Sequence, residues 1–357
     1  MDFRKPGADT IARNRVEKAC RDYALIEEVY KKYPEVRKIL IGSSPYDETS
    51  RFNKVAFPGK NTSILEIVDF LNARARENQW GFVDFNRPMV AINQWEQAAD
   101  SMYTLCGKDR IHPSTDGHLV MAYLFLKAQG LAGKPVADIR IDGAGKKVTR
   151  SDNCRVSDLS VSSDNLTFTY EAKSLPYPID TSYYDNEKHT QADALSVISF
   201  MDEMNYEGLS VSGLSDGYYG LTIGGEFIGR FTARELERGI NMALQNTPQY
   251  KQAMKIRQMN EERWLKERKM REFYWVEYNL MRKTGMLWAC DEAAVDTLRK
   301  YRPHDIFLQW NGDLWLQYMH KGIREDCVNE QQNLVDRIYE QNKPIPLRIE
   351  IKKFTDL

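Results

Sequence analysis

Apolar residues in the first 130 positions alternate between helical and strand-like spacing. Positions three and four apart are apolar in the helical segments, and the strand-like segments are short, continuous apolar runs of the buried parallel kind. The predicted helices lie at about 11–33, 61–75, 93–103 and 116–129, and the predicted strands lie at 36–42 and 81–85. This alternation predicts an α/β domain over residues 1–130 with a doubly wound layer.

Two strands are too few to cover the apolar faces of these helices. We therefore expect further strands of the layer to come from another polypeptide or from coding sequence upstream of Met1. The other interpretation is that the chain is complete and that the pattern conceals one more strand.

The composition changes at residues 130–135, GLAGKP, which are typical of a domain boundary. From there to residue 230, short β-like runs are separated by turn sequences such as Asp142-Gly143 and Gly224-Gly225. The predicted strands lie at 136–141, 154–162, 166–170, 209–211, 218–223 and 226–229. Residues 131–230 are therefore predicted to form a small antiparallel β module.

Residues 231–357 are predicted to form a helical extension. Thr232 and Glu235 have the spacing of a capping box, which predicts a helix from Thr232 to about residue 244. Thr247 and Pro248 predict the start of a helix of about 35 residues, because proline is favoured at the first helical position. Further helices are predicted at about 291–301 and 329–341, followed by an alternating tail at 347–351.

The long helix carries many aromatic and methionine side chains beside densely charged turns. They form either a surface that stacks on sugars or binds a partner, or the buried face of an amphipathic helix. We favour the buried face. The side chains are those of Met254, Met259, Trp264, Phe273, Trp275, Val276, Tyr278 and Met281.

Charge and composition exclude several classes of function. The chain has 357 residues, with 50 basic and 51 acidic side chains, and this balance gives no electrostatic basis for binding nucleic acid or an anionic membrane. No apolar run reaches the roughly 18 residues of a membrane span. The five cysteines are scattered, so they indicate neither a metal site nor a disulfide framework. The sequence indicates no cofactor and leaves the oligomeric state and the compartment open.

Residues 109–118, DRIHPSTDGH, hold the strongest candidate chemistry. Asp109 and His112 are three residues apart, and Pro113 stiffens the chain after them. A carboxylate at this spacing accepts a hydrogen bond from one imidazole nitrogen and leaves the other nitrogen to face a cleft, as in the oriented base of an acyl-transfer enzyme.

Two other interpretations of the same segment stay open. In the first, it only caps a helix, with Ser114 or Thr115 as the cap and Asp116 at the positive helix end. In the second, His112, Asp116 and His118 bind a metal. The second is disfavoured, because histidines six residues apart do not share a helix face as metal-binding pairs do.

Residues 109–118 resemble the last conserved block of the SGNH/GDSL hydrolase family, and residues 39–48, ILIGSSPYDE, resemble the strand and loop after its third block. The resemblance covers about residues 10–130. It implies an incomplete three-layer, flavodoxin-like SGNH domain and an ester hydrolase with a Ser-His-Asp mechanism, in which Asp109 and His112 are catalytic. In this family the serine lies in a Gly-Asp-Ser block, and glycine and asparagine from the next two blocks build the oxyanion hole. None of these blocks occurs ahead of the matched segments.

The resemblance further implies an acyl or acetyl ester as substrate, with acylated carbohydrate as one candidate, and an exported full-length protein in the periplasm or outside the cell. The layout of residues 208–253 is also similar to a C-terminal extension of some bacterial SGNH-like proteins. Without the serine and the oxyanion donors we expect little or no esterase turnover from the chain alone. The alternative is a non-catalytic carbohydrate-binding or scaffold protein, or a decayed remnant. A Gly-Asp-Ser block in the upstream DNA would favour the enzyme.

Residues 213–217, GLSDG, match the G-x-S-x-G pattern of a nucleophile elbow around Ser215. That elbow requires a strand, a sharp turn and then a helix. The residues that follow, 218–223, are strand-like instead, so we interpret the segment as a hairpin turn. His304 and His320 have no carboxylate or sulfur at ligand spacing and are interpreted as ordinary histidines.

Overall fold

A computed structural model describes residues 8–52, 56–182 and 189–354. The chain divides into two compact units. The first comprises Met1–Pro135 and Ile179–Tyr206, and the second comprises Val136–Pro178 and Glu207–Leu357. The first unit changes to the second at Val136, close to the composition change at 130–135.

The first unit is an α/β layer, in agreement with the predicted fold class. Its helices are α1 (Ala8–Tyr30), α2 (Lys60–Glu77), α3 (Asn86–Glu96), α4 (Thr115–Ala128) and α5 (Phe200–Glu203), and its strands are β1 (Ile39–Gly42) and β2 (Gly81–Asp84). The two strands pair in parallel, with Ile39 opposite Gly81. They are the two strands that the apolar runs predict.

The helix predicted at 93–103 begins earlier, at Asn86, and ends at Glu96. Pro88 suggested a loop, but it occupies the first turn of α3, where proline is tolerated because no intrahelical partner is needed for its missing N–H. Val83, Met89, Leu105 and Val120 are almost fully buried in the core of this unit.

Among the described residues, β2 is the only strand recorded beside β1. The side chain of Ile41 on β1 is exposed, as are those of Ile26 and Tyr30 on α1. These three residues line an open apolar groove of about 660 Å³. This unit therefore exposes apolar surface, as expected from its having more apolar helix surface than two strands can cover.

The second unit contains two sheets. Its strands are β3 (Ala137–Asp142), β4 (Lys147–Asp152), β5 (Cys154–Val161), β6 (Asn165–Ala172), β7 (Glu207–Ser212), β8 (Tyr218–Ile223), β9 (Glu226–Thr232), β10 (Ile240–Asn241) and β11 (Leu347–Lys353). One sheet has the order β10-β7-β3-β4 and the other β5-β6-β11-β8-β9. All pairs are antiparallel except β3 with β7, which run parallel.

Two of the longer helices of this unit begin where the sequence predicts, at 248 and 292. The helix predicted at 329–341 begins earlier, at Lys321, and the helix at 306–318 is not among the predicted ones. The helices are α6 (Ala233–Arg238), α7 (Pro248–Val276), α8 (Glu292–Tyr301), α9 (Ile306–Tyr318) and α10 (Lys321–Gln341). The capping box of Thr232 and Glu235 is present. The helix that it starts ends at Arg238 rather than near residue 244, because Gly239 adopts a φ of 95° that does not continue a helix.

Two placements differ from the predicted domains. The tail at 347–353 was assigned to the helical extension but forms β11, the central strand of the second sheet. Residues 179–206 were assigned to the β module but belong to the first unit, where Ala194 and Phe200 pack into the core. Both placements depend on contacts between residues far apart in sequence.

The aromatic side chains of α7 divide between the core and the surface. Phe273 and Val276 are fully buried, in agreement with an amphipathic helix, whereas Trp264 is exposed. The helix changes to a π-helical turn at Glu277–Met281. No helix in the described ranges combines the length and the apolarity that a bilayer span requires.

Candidate active site

The loop before α4 brings Asp109 and His112 together. Asp109 Oδ1 accepts hydrogen bonds from the backbone N–H groups of Ile111, at 3.1 Å, and His112, at 3.0 Å. These bonds turn the chain back on itself, as aspartate side chains commonly do in loops. The other carboxylate oxygen, Oδ2, is then hydrogen-bonded to His112 Nδ1. The two residues form the oriented pair that their spacing predicts.

The two members of the pair differ in exposure. The side chain of His112 is 85% exposed, whereas that of Asp109 is 38% exposed. Burial by itself would raise the pKa of Asp109, but hydrogen bonds from His112 and Ile111 outweigh it and lower the pKa to about 2. Asp109 is therefore a carboxylate at neutral pH, and it holds an imidazole that faces solvent.

Two glycines allow the close packing of this loop. Gly107 has a φ of 58°, and a Cβ atom there would lie 2.8 Å from the carbonyl oxygen of His112. Gly117 lies in the first turn of α4, where a Cβ atom would lie 2.3 Å from the carbonyl oxygen of Leu105. Any larger residue at either position would displace backbone that supports His112.

Arg110 joins the loop to the second segment that resembles the hydrolase family, residues 39–48. It is buried, and it donates hydrogen bonds to the carbonyl oxygens of Asp47, at 3.0 Å, and Phe52, at 3.3 Å. The N–H of Asp47 donates in return to the carbonyl oxygen of Arg110, at 2.8 Å. The two segments noted in the sequence are therefore neighbours in space. Arg110 is not among the candidate residues that the sequence indicates, and its position between Asp109 and His112 is the one available signal.

A cavity of about 420 Å³ opens beside this pair. Its lining residues are Phe52, Met102, Thr104, Gly107, Lys108, Asp109, His112, Pro113, Ser114 and His189. The volume falls in the range of sites for small molecules. Within residues 8–52, 56–182 and 189–354, no serine, threonine or cysteine side chain is recorded in a hydrogen bond with the His112 ring.

A second histidine, His189, lines the same cavity and also pairs with an aspartate. Its Nδ1 lies 2.7 Å from Oδ2 of Asp116, which is 1% exposed. Asp116 Oδ1 accepts from the hydroxyl of Ser114 and from the N–H of Gly117. Asp116 lies in the first turn of α4, at the positive helix end as predicted, whereas His189 is not among the predicted site residues. Only the fold brings together residues 73 positions apart.

Ser114 occupies the cap position of α4, as one interpretation of the motif expected, but its side chain makes no capping hydrogen bond. Its hydroxyl is directed to Asp116 and, at 3.3 Å, to the carbonyl oxygen of Leu105. The motif is therefore more than a capping loop, because two aspartates in it hold histidine rings at one cavity.

Comparison with known proteins places the chain in a family. The family described as the diltiazem deacetylase C-terminal helical domain matches residues 254–343. The chain is also similar to a solved structure described as "BT4096 a gut microbial diltiazem-metabolizing enzyme", with 38% sequence identity and a TM-score of 0.93 over 99% of this chain and 80% of that chain. The chain belongs to the family of this enzyme. No curated protein matches it significantly.

Membership in this family supports a hydrolase function, since the matching domain is described as part of a deacetylase. The matched domain covers most of α7 and all of α8, α9 and α10, so the helical region is a shared feature of the family. Residues 109–118 lie outside that domain, in the part of the chain that the structural match covers.

The remaining candidates do not form a second site. Strand β8 follows the 213–217 turn directly, and the hydroxyl of Ser215 is hydrogen-bonded to Lys353 Nζ at 2.8 Å, so the segment lacks the helix of a nucleophile elbow. His304 and His320 are exposed. In the part of the chain that the structure describes, no three His, Cys, Asp or Glu side chains are grouped to hold a metal ion. His118, one of the residues in the metal-binding interpretation, has its Nδ1 2.9 Å from the carbonyl oxygen of Ser114.

Proposed function

We propose that this protein is an SGNH-type ester hydrolase that removes acyl groups, and acetyl groups in particular. In this proposal His112 is the general base and then the general acid, and Asp109 orients it. The observation that carries the proposal is the Asp109–His112 pair on the wall of a ligand-sized cavity. The membership of the chain in the family of a diltiazem-metabolizing enzyme supports the reaction class.

The pairing fixes which imidazole nitrogen is basic. Asp109 is a carboxylate and accepts a hydrogen bond from the Nδ1–H group, so the lone pair of His112 lies on Nε2. As a hydroxyl nucleophile attacks the ester carbonyl, Nε2 takes the hydroxyl proton and the imidazolium is stabilised by Asp109. The tetrahedral intermediate then collapses, and His112 returns the proton to the departing alcohol oxygen.

The resemblance to SGNH hydrolases implies that a serine supplies this hydroxyl, and that glycine and asparagine supply the oxyanion hole. The exposure of the His112 ring leaves its Nε2 edge accessible to such a group. Hydrolysis of the resulting acyl-enzyme repeats the proton transfers with water in place of the alcohol.

The substrate that we propose is an acetate ester of a bulky alcohol. Diltiazem is such an ester, and it is the compound named for the similar enzyme. An acetylated carbohydrate has the same reactive group and is the second substrate class to test. The cavity of about 420 Å³ lies within the size range of sites that bind small molecules.

The test combines acetate release with NMR of the histidine rings. Purified protein with ¹⁵N-labelled histidine is given diltiazem or a mono-acetylated sugar, and acetate is quantified from pH 5 to pH 9. The same measurement is made on His112→Ala and Asp109→Asn, and His304→Ala serves as a control at an exposed histidine.

Acetate release that is lost in His112→Ala but kept in His304→Ala would support the proposal. A ligand-induced shift of the His112 Nε2 resonance without release would show a site that binds the ester and lacks an effective nucleophile, which would contradict hydrolysis by this chain alone. Release that survives in His112→Ala, or a ligand that shifts no histidine resonance and is not cleaved, would refute it. Sugar binding away from His112 would favour the non-catalytic carbohydrate-binding alternative.

A further inference from the structure

A buried arginine holds one wall of the cavity beside His112. Arg110 is 2% exposed, and its guanidinium carbon lies 4.2 Å from the centroid of the Phe52 ring. The same guanidinium donates hydrogen bonds to the carbonyl oxygens of Phe52, at 3.3 Å, and Asp47, at 3.0 Å. Phe52 lines the cavity. Arg110 therefore fixes both the backbone and the ring of a residue that a ligand can contact.

The backbone of Arg110 is strained where it lies between the two members of the proposed catalytic pair. Its φ is 71°, in the left-handed region that residues with a side chain rarely adopt. Such conformations persist only where the surrounding contacts enforce them, and they cluster at active sites and ligand clamps. Here one short loop holds an exposed His112 and a buried Arg110, so the same loop serves the proposed base and the cavity wall.

The segment that ends at Phe52, residues 47–52, is also attached to a second lining residue. Ser50 Oγ donates a hydrogen bond to the carbonyl oxygen of Met102 at 3.1 Å. Met102 lines the cavity, as does Pro113, and the other side chains of the lining are polar. The apolar part of a ligand in this cavity therefore has to lie against Phe52, Met102 and Pro113, since burying apolar surface there is favourable.

The position of His112 determines which part of an ester reaches this apolar surface. In the proposed function the ester carbonyl lies at the His112 ring, and an acetyl group adds only one methyl group to it. The alcohol part is then the part that can fill the cavity and contact Phe52. Because the guanidinium covers one face of the Phe52 ring, the other face and the edge remain for the ligand. An aromatic group packs well in either arrangement, offset-stacked or edge-to-face.

We propose that Phe52 contacts the alcohol part of the ester and selects an aromatic group there, and that Arg110 is the positioning residue that holds the Phe52 ring for this contact. This inference rests on the proposed ester hydrolase function and names its substrate class, acetate esters of alcohols that carry an aromatic ring. A sugar presents hydroxyl groups to the same apolar surface and should bind more weakly, because polar groups are costly to bury without partners.

The test uses acetamides in place of the esters, because the amide bond resists cleavage. Acetanilide carries an aromatic ring, N-cyclohexylacetamide a saturated ring with the same number of carbons, and N-acetylglucosamine a sugar. Their dissociation constants are measured by calorimetry with the wild-type protein, Phe52→Leu and Arg110→Met. Phe227→Leu is the matched control, because Phe227 is an exposed phenylalanine of the second unit.

We expect the wild-type protein and Phe227→Leu to bind acetanilide about fivefold more tightly than N-cyclohexylacetamide, the gain of one aromatic pair. In Phe52→Leu, which keeps apolar bulk without the ring, the two ligands should bind within about twofold of each other. Arg110→Met should lose the preference in the same way. A purely structural role of Arg110 would lower the unfolding temperature and leave the ratio of the two dissociation constants unchanged.

An NMR measurement on the wild-type protein decides the role of Arg110 if Arg110→Met does not fold. With acetanilide bound, the Phe52 ring protons should show nuclear Overhauser effects both to the ligand ring and to the Arg110 side chain. A Phe52 ring that contacts the ligand and not Arg110 would overturn the positioning role.

Failure of this inference is distinguishable from failure of the proposed function. An unchanged preference for acetanilide in Phe52→Leu would overturn the role of Phe52 alone. N-acetylglucosamine that binds more tightly than acetanilide would overturn the substrate class. If none of the three acetamides binds, the inference fails, whereas the proposed function is decided separately by acetate release from the esters.

Discussion

Gly107 lies directly against His112: a Cβ atom at residue 107 would be 2.8 Å from the His112 carbonyl oxygen. Gly107 also adopts a φ of 58°, which a residue with a side chain rarely adopts. The position of the proposed base thus depends on the absence of a side chain five residues earlier.

Gly107→Ala should therefore both destabilise the protein and displace His112. The left-handed backbone alone costs about 1 kcal/mol for alanine, and the contact with the carbonyl oxygen adds to it, for about 2 kcal/mol or more in total. Gly130→Ala is the matched control, because Gly130 has a φ of 72° and open space around it. Urea denaturation and the His112 NMR resonances should show a larger change at Gly107. Equal effects at the two sites would show that the contact with His112 is unimportant.

Asp109→Asn should reverse the tautomer of His112. The backbone N–H groups of Ile111 and His112 require an acceptor at Oδ1, so the asparagine NH₂ group would face Nδ1 of the imidazole. Nδ1 must then accept, and the proton moves to Nε2, which can no longer act as a base. Turnover, where present, should fall about 10⁴-fold, as for the same change in a Ser-His-Asp triad.

The tautomer change is read from the ¹⁵N shifts of the His112 ring in alkaline solution. Asp116→Asn is the control, since it alters the other Asp–His pair and should leave the His112 ring unchanged. An identical His112 spectrum in the wild-type protein and in Asp109→Asn would contradict the orienting role of Asp109.

Because of Glu207, the free energy of unfolding of the second unit should fall as the pH rises. Glu207 is almost fully buried and accepts a hydrogen bond from the hydroxyl of Tyr170 at 2.8 Å, and burial raises its pKa to about 7. A carboxyl with a raised pKa in the folded state contributes stability that is fully present below its ordinary pKa of 4.5 and is lost as pH rises through about 7. The resulting loss in the free energy of unfolding amounts to about 3 kcal/mol.

Glu207→Gln should remove this dependence, because the amide has no proton to lose. Urea denaturation midpoints at pH 5 and pH 8 should differ less in the variant than in the wild-type protein. Glu235→Gln is the control: hydrogen bonds with Thr232 lower the pKa of Glu235, so its contribution changes only in more acidic solution. If the midpoints at pH 5 and pH 8 differ as much in Glu207→Gln as in the wild-type protein, the pH dependence belongs to another group.

Trp315→Phe should destabilise the helical region much more than Trp310→Phe does. The indole N–H of Trp315 donates to Glu277 Oε1 at 2.8 Å, and both residues are almost fully buried. Trp315→Phe leaves that carboxylate oxygen without its donor, at a cost of about 2 kcal/mol or more. Trp310 is 67% exposed, so Trp310→Phe should change stability by less than about 0.5 kcal/mol. Thermal unfolding that gives equal losses for the two variants would argue against the buried hydrogen bond.

Local sequence determined much of this protein. Strand β8 lies where its apolar run predicts, and the capping box of Thr232 and Glu235 starts α6 as expected. The pairing of Asp109 with His112 was also predictable. In each case the interacting residues are within a few positions of one another, so their geometry follows from backbone conformations that nearby residues set.

Tertiary structure decided the rest. Strand β11 pairs with β6 and β8, although its sequence showed only an alternating tail. His189 reaches Asp116 across 73 positions, and it had no sequence signal of its own. The sequence by itself determined the α/β pattern, the helix starts at Thr232 and Thr247 and one Asp–His pair, because short-range sterics and hydrogen bonds encode them. The sheet order and the second histidine of the cavity arise from the packing of distant segments, which periodicity and residue spacing do not encode.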